Sequence, residues 1–232
     1  MEPTQPVAVV FDLDGTLIDS APDLRVAGNR LLGARGLPPV DLHTVRQAVG
    51  DGVGLLVERL FAAVGAPLSA GEVALRTNEF RDLYLERVCE LTRTLPGATI
   101  TLARLTEAGW RLGLCTNKPA AHTALVLERL DLAPFFASVV AGDTLAVRKP
   151  DPAPLRRALE ELRTPPNRAV FVGDSAIDVR TARAADVPVV FVEGGYAHDD
   201  VEPLAPDARI ANLEELPAIV GRWLGPGSEV QR

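Results

Sequence analysis

Two aspartates separated by one residue follow the first apolar run of the chain. Asp12 and Asp14 come directly after Val7–Phe11, and side chains at i and i+2 of an extended segment point to the same side. Two carboxylates about 4 Å apart repel by about 4 kcal/mol at an effective dielectric constant of 20. Either a cation offsets this repulsion or one carboxyl carries a proton. Taken alone, the pattern Asp-x-Asp-Gly could be an ordinary turn. The position of this pattern directly after an apolar run favours a functional site.

A second pair of carboxylates follows a later apolar run. Asp174 and Asp178 are four residues apart, so they share a face if a helix begins there. Capping of that helix by Asp174 is expected, but it does not explain both residues. With Asp12 and Asp14, the pair would bring four carboxylates to one sheet edge. Oxygen ligands without histidine or cysteine favour Mg²⁺ over zinc.

Polar turns that could bind phosphate follow two other segments. In the turn at Thr116 and Asn117, a hydroxyl and backbone amides could hold a phosphoryl oxygen. Lys149 lies just before a predicted helix start, and its compact ammonium suits phosphate or carboxylate. An exposed basic loop is the alternative, but the 24 basic residues include only two lysines, Lys118 and Lys149. That rarity favours a site at Lys149; the sequence assigns no function to Lys118.

Five short, valine-rich runs must position these residues. Runs that lack strict alternation are typical of strands buried on both faces of a parallel sheet. Segments with helical spacing separate most of them, which predicts an α/β fold with a doubly wound, Rossmann-like parallel sheet. In such sheets ligands bind beyond the carboxyl ends of the strands. The predicted strands are Val7–Phe11, 112–115, 138–141, 169–172 and Val187–Val192.

A helical block interrupts this alternation after the first strand. It contains no strand-like run, and several segments carry amphipathic helical spacing, among them the one with Val53, Leu56 and Leu60. Ser69 and Glu72 form a capping-box pattern ahead of another helical segment. The sequence therefore predicts an all-helical cap over residues 19–90, inserted into an α/β core made of residues 1–18 and 91–232.

Composition excludes several classes of protein. The 232 residues include 31 acidic and 24 basic ones, for a net charge of −7, which disfavours a nucleic-acid binder. No apolar stretch approaches the roughly 20 residues of a membrane span. Two cysteines without a CxxC motif fit a reducing cytoplasm, where we expect a monomer or homodimer. The histidines, His43, His122 and His198, follow no metal-ligand spacing and are expected at the surface or in helix caps.

Four segments together resemble the motifs of the haloacid-dehalogenase-like phosphohydrolase superfamily, in order and position: DLDGTLIDS, CTNKP, RKPDP and VGDSAIDV. The resemblance implies that Asp12 is a nucleophile that forms a phosphoaspartyl intermediate, and that Asp14 is the general acid and then the base. It also implies that Mg²⁺ is held by Asp12, the carbonyl of Asp14, and Asp174. Phosphoryl oxygens would contact Thr116 and Asn117. Lys149 would neutralise charge, and Asp178 would orient the metal shell or the lysine.

Within this superfamily the sequence favours a phosphatase. The dehalogenases lack an acid at the position of Asp14, and phosphonate-cleaving relatives need a cap lysine, which this chain does not have. Sugar-phosphate mutases carry a histidine where Leu24 stands. Receiver domains, which use similar acid, Thr and Lys chemistry as switches without turnover, are a remote alternative because they are about half this length and lack a helical insertion.

The expected substrate is a small anionic phosphomonoester. The stretch Glu193–Tyr196, followed by Pro206 and Asp207, resembles the phosphoglycolate phosphatases most, which implies hydrolysis of 2-phosphoglycolate to glycolate and phosphate. The same ending occurs in pyrophosphatase-like and sugar-phosphate relatives, so those substrates stay open.

Overall fold

A six-stranded parallel sheet forms the centre of the computed structural model, which describes residues 6–196 and 202–225. The strands in this part of the chain are Ala8–Phe11 (β1), Ile18–Asp19 (β2), Arg93–Thr94 (β3), Arg111–Cys115 (β4), Ser138–Val140 (β5), Ala169–Gly173 (β6), Val189–Val192 (β7) and Ala208–Ile210 (β8). Their order in the large sheet is β5-β4-β1-β6-β7-β8, with all neighbours parallel. This doubly wound order confirms the predicted fold class. From β1 the chain adds strands first on one side and then, starting with β6, on the other, so the strand order reverses between β1 and β6.

Both faces of the sheet are buried, as the valine-rich strands predict. Along β1, Val9 and Phe11 pack into one hydrophobic cluster, whereas Ala8 and Val10 pack into another on the opposite face. Four helices come first in the chain: Ala21–Gly33 (α1), Leu42–Ala48 (α2), Val53–Ala63 (α3) and Ala70–Glu86 (α4). The helices that cover the sheet follow: Ala98–Glu107 (α5), Ala120–Arg129 (α6), Ala153–Glu161 (α7), Ala176–Ala185 (α8) and Leu216–Leu224 (α9). Helices α7 and α8 pack on one face; α5 and α9 pack on the other.

Helices α1 to α4 form the helical cap. Helix α4 packs against α1 and α3, and α2 packs against α3. The Ser69 backbone N–H donates to the Glu72 carboxylate (3.0 Å) at the start of α4, as the capping-box pattern predicts. The chain leaves and re-enters the core through β2 and β3, which pair antiparallel next to the cap. The domain boundaries at 18/19 and 90/91 stay a prediction.

The sequence missed three strands. Strand β8 lies at the sheet edge with an exposed residue, Arg209, at its centre, so it shows no apolar run. Strands β2 and β3 have two residues each, too few for a pattern. Single-turn 3₁₀ helices occur at Ala133–Phe135, Pro166–Arg168, Glu202–Leu204 and Leu213–Glu215. Among the described helices, none has the length and apolar character to cross a bilayer.

Candidate active site

Three buried carboxylates meet at the carboxyl ends of β1 and β6. Asp12, Asp174 and Asp178 each offer an oxygen within 4.8 Å of the others. The backbone N–H of Asp12 donates to the carbonyl of Val172 at 2.8 Å, which ties the two strand ends together. The site therefore lies where the strand order reverses, the position at which doubly wound sheets bind ligands.

Glycines allow the chain to approach Asp174 from two sides. A Cβ atom added to Gly15 would lie 2.2 Å from Asp174 Oδ2, and one added to Gly195 would lie 2.3 Å from the same atom. Gly15 also has a φ of +87°, a conformation that L side chains rarely adopt. Asp174 accepts hydrogen bonds from the Thr16 hydroxyl (2.8 Å) and the Tyr196 backbone N–H (2.6 Å). Its carboxylate is thus fixed by two loops, the one that follows β1 and the one that follows β7.

Ser175, not Asp174, caps helix α8. The Ser175 hydroxyl accepts from the backbone N–H of Asp178, whose carboxylate accepts in return from the Ser175 backbone N–H at 3.1 Å. The expectation that Asp174 caps this helix is wrong, because its carboxylate points back to Thr16 and Tyr196 instead. Asp174 is thereby left facing the cluster.

Lys149 is the cation inside the carboxylate cluster. Its Nζ lies 2.8 Å from Asp12 Oδ1 and 2.7 Å from Asp178 Oδ1. Burial opposes the ammonium charge, but Asp12 and Asp178 outweigh it and raise the pKa of Lys149. Asp178 therefore positions the lysine as well as the start of α8. The exposed-loop alternative for Lys149 is wrong, since the residue is only 3% exposed.

One ammonium does not balance three buried carboxylates. Burial raises the pKa of Asp12 to about 6, although Lys149 partly offsets it. Burial, followed by repulsion from Asp178 and Asp12, raises the pKa of Asp174 well above its usual value. Among the described residues, the cluster holds more acidic groups than basic ones, and all its ligand atoms are oxygen, so its residues fit a hard divalent cation such as Mg²⁺.

The Asp14 carboxylate lies outside this cluster and pairs with Lys118. Lys118 Nζ is 3.0 Å from Asp14 Oδ1 and 3.2 Å from Oδ2, and the Ser20 hydroxyl donates to Oδ1 at 2.5 Å. The predicted convergence of four carboxylate side chains is therefore wrong for Asp14, which faces its own cation. The sequence alone assigned Lys118 no function. The rarity of lysine in this chain, which favoured a site at Lys149, applies equally to Lys118.

Thr116 and Asn117 follow β4, beside the carboxylates. The Thr116 hydroxyl accepts from the Lys118 backbone N–H at 3.2 Å. The side-chain amide of Asn117 donates to the carbonyls of Gly50 (3.0 Å) and Lys149 (3.1 Å). These bonds tie the cap loop to the core and occupy the amide donors of Asn117, so phosphate binding there is left to its backbone N–H.

A cavity between the cap and the core opens onto Asp12 and Asp14. The cap contributes apolar side chains from three helices, and the core contributes the polar turn after β4. The lining residues include Leu24, Val53, Leu56, Phe80, Tyr84, Thr116, Asn117, Lys118 and His122. The cap thus covers the Asp12 and Asp14 carboxylates with a mainly apolar surface, which limits the size of a ligand that binds there.

His122 is part of this cavity. It is 3% exposed and stacks on the ring of Tyr84, with centroids 5.1 Å apart and an interplanar angle of 12°. The expectation of a surface or capping histidine is therefore wrong for His122, because α6 packs its first turn beneath cap helix α4. His198 lies outside the described residues.

The chain is similar to known proteins over most of its length. A family model described as haloacid dehalogenase-like hydrolase matches residues 7–186. A phosphoglycolate phosphatase of Rhodospirillum rubrum is 44% identical over 231 residues, covering 97% of this chain and 94% of the relative. One from Caulobacter vibrioides is 40% identical, covering 90% and 88%. The crystal structure of a predicted phosphoglycolate phosphatase from Haemophilus somnus superimposes with a TM-score of 0.86, at 29% identity, covering 93% and 98%.

Proposed function

The chain belongs to the haloacid dehalogenase-like hydrolase family and is a phosphoric monoester hydrolase, and we propose that its substrate is 2-phosphoglycolate. The observation that carries the proposal is a small cavity under the cap where Asp12 and Asp14 are each paired with a lysine. Two cations beside two carboxylates suit a small substrate with two anionic groups, a phosphate and a carboxylate. The relatives that are phosphoglycolate phosphatases support the choice of substrate.

In the first half of the proposed reaction, Asp12 is the nucleophile. One of its carboxylate oxygens attacks phosphorus, forming a phosphoaspartyl group as the bond from phosphorus to the glycolate oxygen breaks. Asp14 gives a proton to that departing oxygen. Thr116, the backbone N–H of Asn117 and the Lys149 ammonium hold the phosphoryl oxygens and offset their charge.

In the second half, Asp14 is the base. It takes a proton from a water molecule, whose oxygen attacks the phosphorus and breaks the bond to Asp12. Inorganic phosphate leaves, and the Asp12 carboxylate is regenerated. Asp178 does not touch the reacting atoms in this scheme; it positions Lys149, to which it is bonded at 2.7 Å.

We propose that Asp12, Asp174 and the backbone carbonyl of Asp14 hold Mg²⁺. The excess of negative charge in the cluster and its all-oxygen donors support this ligand set. When bound, Mg²⁺ would offset the charge of the carboxylates and of the phosphoryl group. The chain itself supplies the nucleophile, the proton and the lysine that binds the phosphoryl group.

A substrate panel tests the choice of 2-phosphoglycolate. At saturating Mg²⁺, we expect kcat/KM for 2-phosphoglycolate to exceed the values for glucose phosphates, glycerol phosphates and pyrophosphate, because the apolar cap excludes larger leaving groups. A competitor that wins by tenfold, about 1.4 kcal/mol in transition-state binding, overturns the substrate assignment but leaves the phosphatase assignment intact.

We further propose a cytoplasmic enzyme that acts as a monomer or homodimer and has no nucleic-acid partner. The two cysteines are not bonded to each other, and Cys115 is buried in β4, which supports a reducing compartment. The net charge of −7 argues against contact with nucleic acid.

A further inference from the structure

We propose that Lys118 binds the carboxylate of the leaving group and so selects acidic over neutral substrates, an inference that rests on the proposed function. The leaving-group pocket is defined by Asp14, Tyr84, Lys118 and His122. These side chains line the cavity under the cap, which also reaches Asp12 of the Lys149 cluster. The pocket would select the leaving group of the substrate, whereas the cluster would bind the phosphoryl group.

Lys118 is the cation available to a carboxylate in this pocket. Among the described residues that line the cavity, Lys118 and His122 are the two basic side chains. Burial lowers the pKa of His122, so its imidazole is neutral near pH 7. The Lys118 ammonium is paired with the Asp14 carboxylate, with Nζ 3.0 Å from Oδ1. The pocket therefore holds one permanent positive charge.

The position of Lys118 matches the length of the substrate. Its Nζ contacts both carboxylate oxygens of Asp14, the group that would protonate the ester oxygen. In 2-phosphoglycolate the carboxylate carbon is two bonds from that oxygen. A cation bonded to the proton donor is consequently within reach of the substrate carboxylate. An ammonium has three N–H donors, and Asp14 uses at most two of them.

The surroundings of Lys118 fix it and leave polar atoms without partners. Its Nζ lies 4.9 Å from the centroid of the Tyr84 ring, a cation–π contact that holds the ammonium beneath the cap. In the described part of the chain, the buried Tyr84 hydroxyl has no acceptor for its O–H, and His122 Nδ1 has no hydrogen-bond partner. Buried polar atoms are normally satisfied. A carboxylate in the pocket would give the Tyr84 hydroxyl an acceptor.

A matched pair of substrates tests this assignment. In 2-hydroxyethyl phosphate a neutral hydroxymethyl group replaces the carboxylate, so the ratio of kcat/KM for the two substrates isolates carboxylate recognition. We expect the wild-type ratio to favour 2-phosphoglycolate by about a hundredfold or more. In Lys118→Met and Lys118→Gln it should fall to about threefold or less, chiefly through a higher KM for 2-phosphoglycolate. Arg157→Met, which removes an exposed cation on α7, should keep the wild-type ratio.

The same ratio separates carboxylate recognition from support of Asp14. If Lys118 only holds Asp14, its variants lose activity equally on both substrates and keep the wild-type ratio, which overturns the inference and leaves the proposed function standing. A wild-type ratio near one also overturns it. Wild-type enzyme that does not hydrolyse 2-phosphoglycolate contradicts the proposed function and, with it, this inference.

Discussion

The Asp12→Asn variant is expected to fold normally and to lose at least about 10⁴-fold in kcat. An amide oxygen is a poor nucleophile, so the phosphoaspartyl group cannot form. The fold should persist because Asn has nearly the same shape, Lys149 keeps its bond to Asp178, and burial already disfavours a charge at Asp12. Phosphate release under saturating Mg²⁺ measures the loss, and thermal unfolding checks the fold.

Asp131→Asn is a matched control for this substitution. Asp131 is exposed after α6 and has a φ of +55°, which asparagine adopts readily. We expect wild-type activity from it. If folded Asp12→Asn protein retained more than a few per cent of wild-type turnover, another group would have to be the nucleophile.

Removal of Mg²⁺ is expected to abolish activity, and Asp174→Asn to raise the Mg²⁺ concentration for half-maximal activity by about a hundredfold. The Asp174 oxygens accept from different donors, so asparagine keeps one acceptor for the Tyr196 backbone N–H, and the Thr16 hydroxyl can rotate to accept from the new amide. The variant therefore changes the charge more than the shape. Asp174→Ala removes those acceptors too and should lose at least as much. Titration of activity with Mg²⁺ after chelation gives both values.

Thermal unfolding supplies a second readout of the same site. Mg²⁺ at a hundred times its Kd stabilises a protein by about 2.7 kcal/mol, a rise in Tm of roughly 5 to 10 °C for a chain of this size. We expect this rise in the wild type and little of it in Asp174→Asn. Without Mg²⁺ the variant should be no less stable than the wild type, because it relieves repulsion in a buried cluster. Full activity after exhaustive chelation would contradict the metal assignment.

Much of the scaffold could be predicted because it depends on local patterns. The apolar runs that form β1, β4 and β6 are buried on both faces, and the carboxyl ends of β1 and β6 bring Asp12 and Asp174 together. Because the carboxyl ends of parallel strands lie at one edge of a sheet, the strand assignment alone predicts that these residues lie close together. The helical cap was predictable for the same reason, since each helix carries its own apolar stripe.

The residues that sequence reasoning missed meet only when the cap packs on the core. Tyr84 on α4 stacks on His122 of α6 and covers Lys118, contacts between segments more than thirty residues apart. Nothing in the local sequence of Tyr84 indicates its partner. Asn117 is a second case. The sequence predicts a phosphate contact there, but the cap loop packs beside it and the Asn117 side-chain amide donates to the Gly50 carbonyl at 3.0 Å.

The central claim is that phosphate passes through Asp12. Rapid acid quench of wild-type enzyme mixed with ³²P-labelled 2-phosphoglycolate and Mg²⁺ tests it most directly, with peptide mapping to locate the label. We expect early, transient labelling of the peptide that contains Asp12, lost on treatment with hydroxylamine and absent from Asp12→Asn. Label on another residue, or turnover during which no enzyme-bound label forms at any time, would contradict the account.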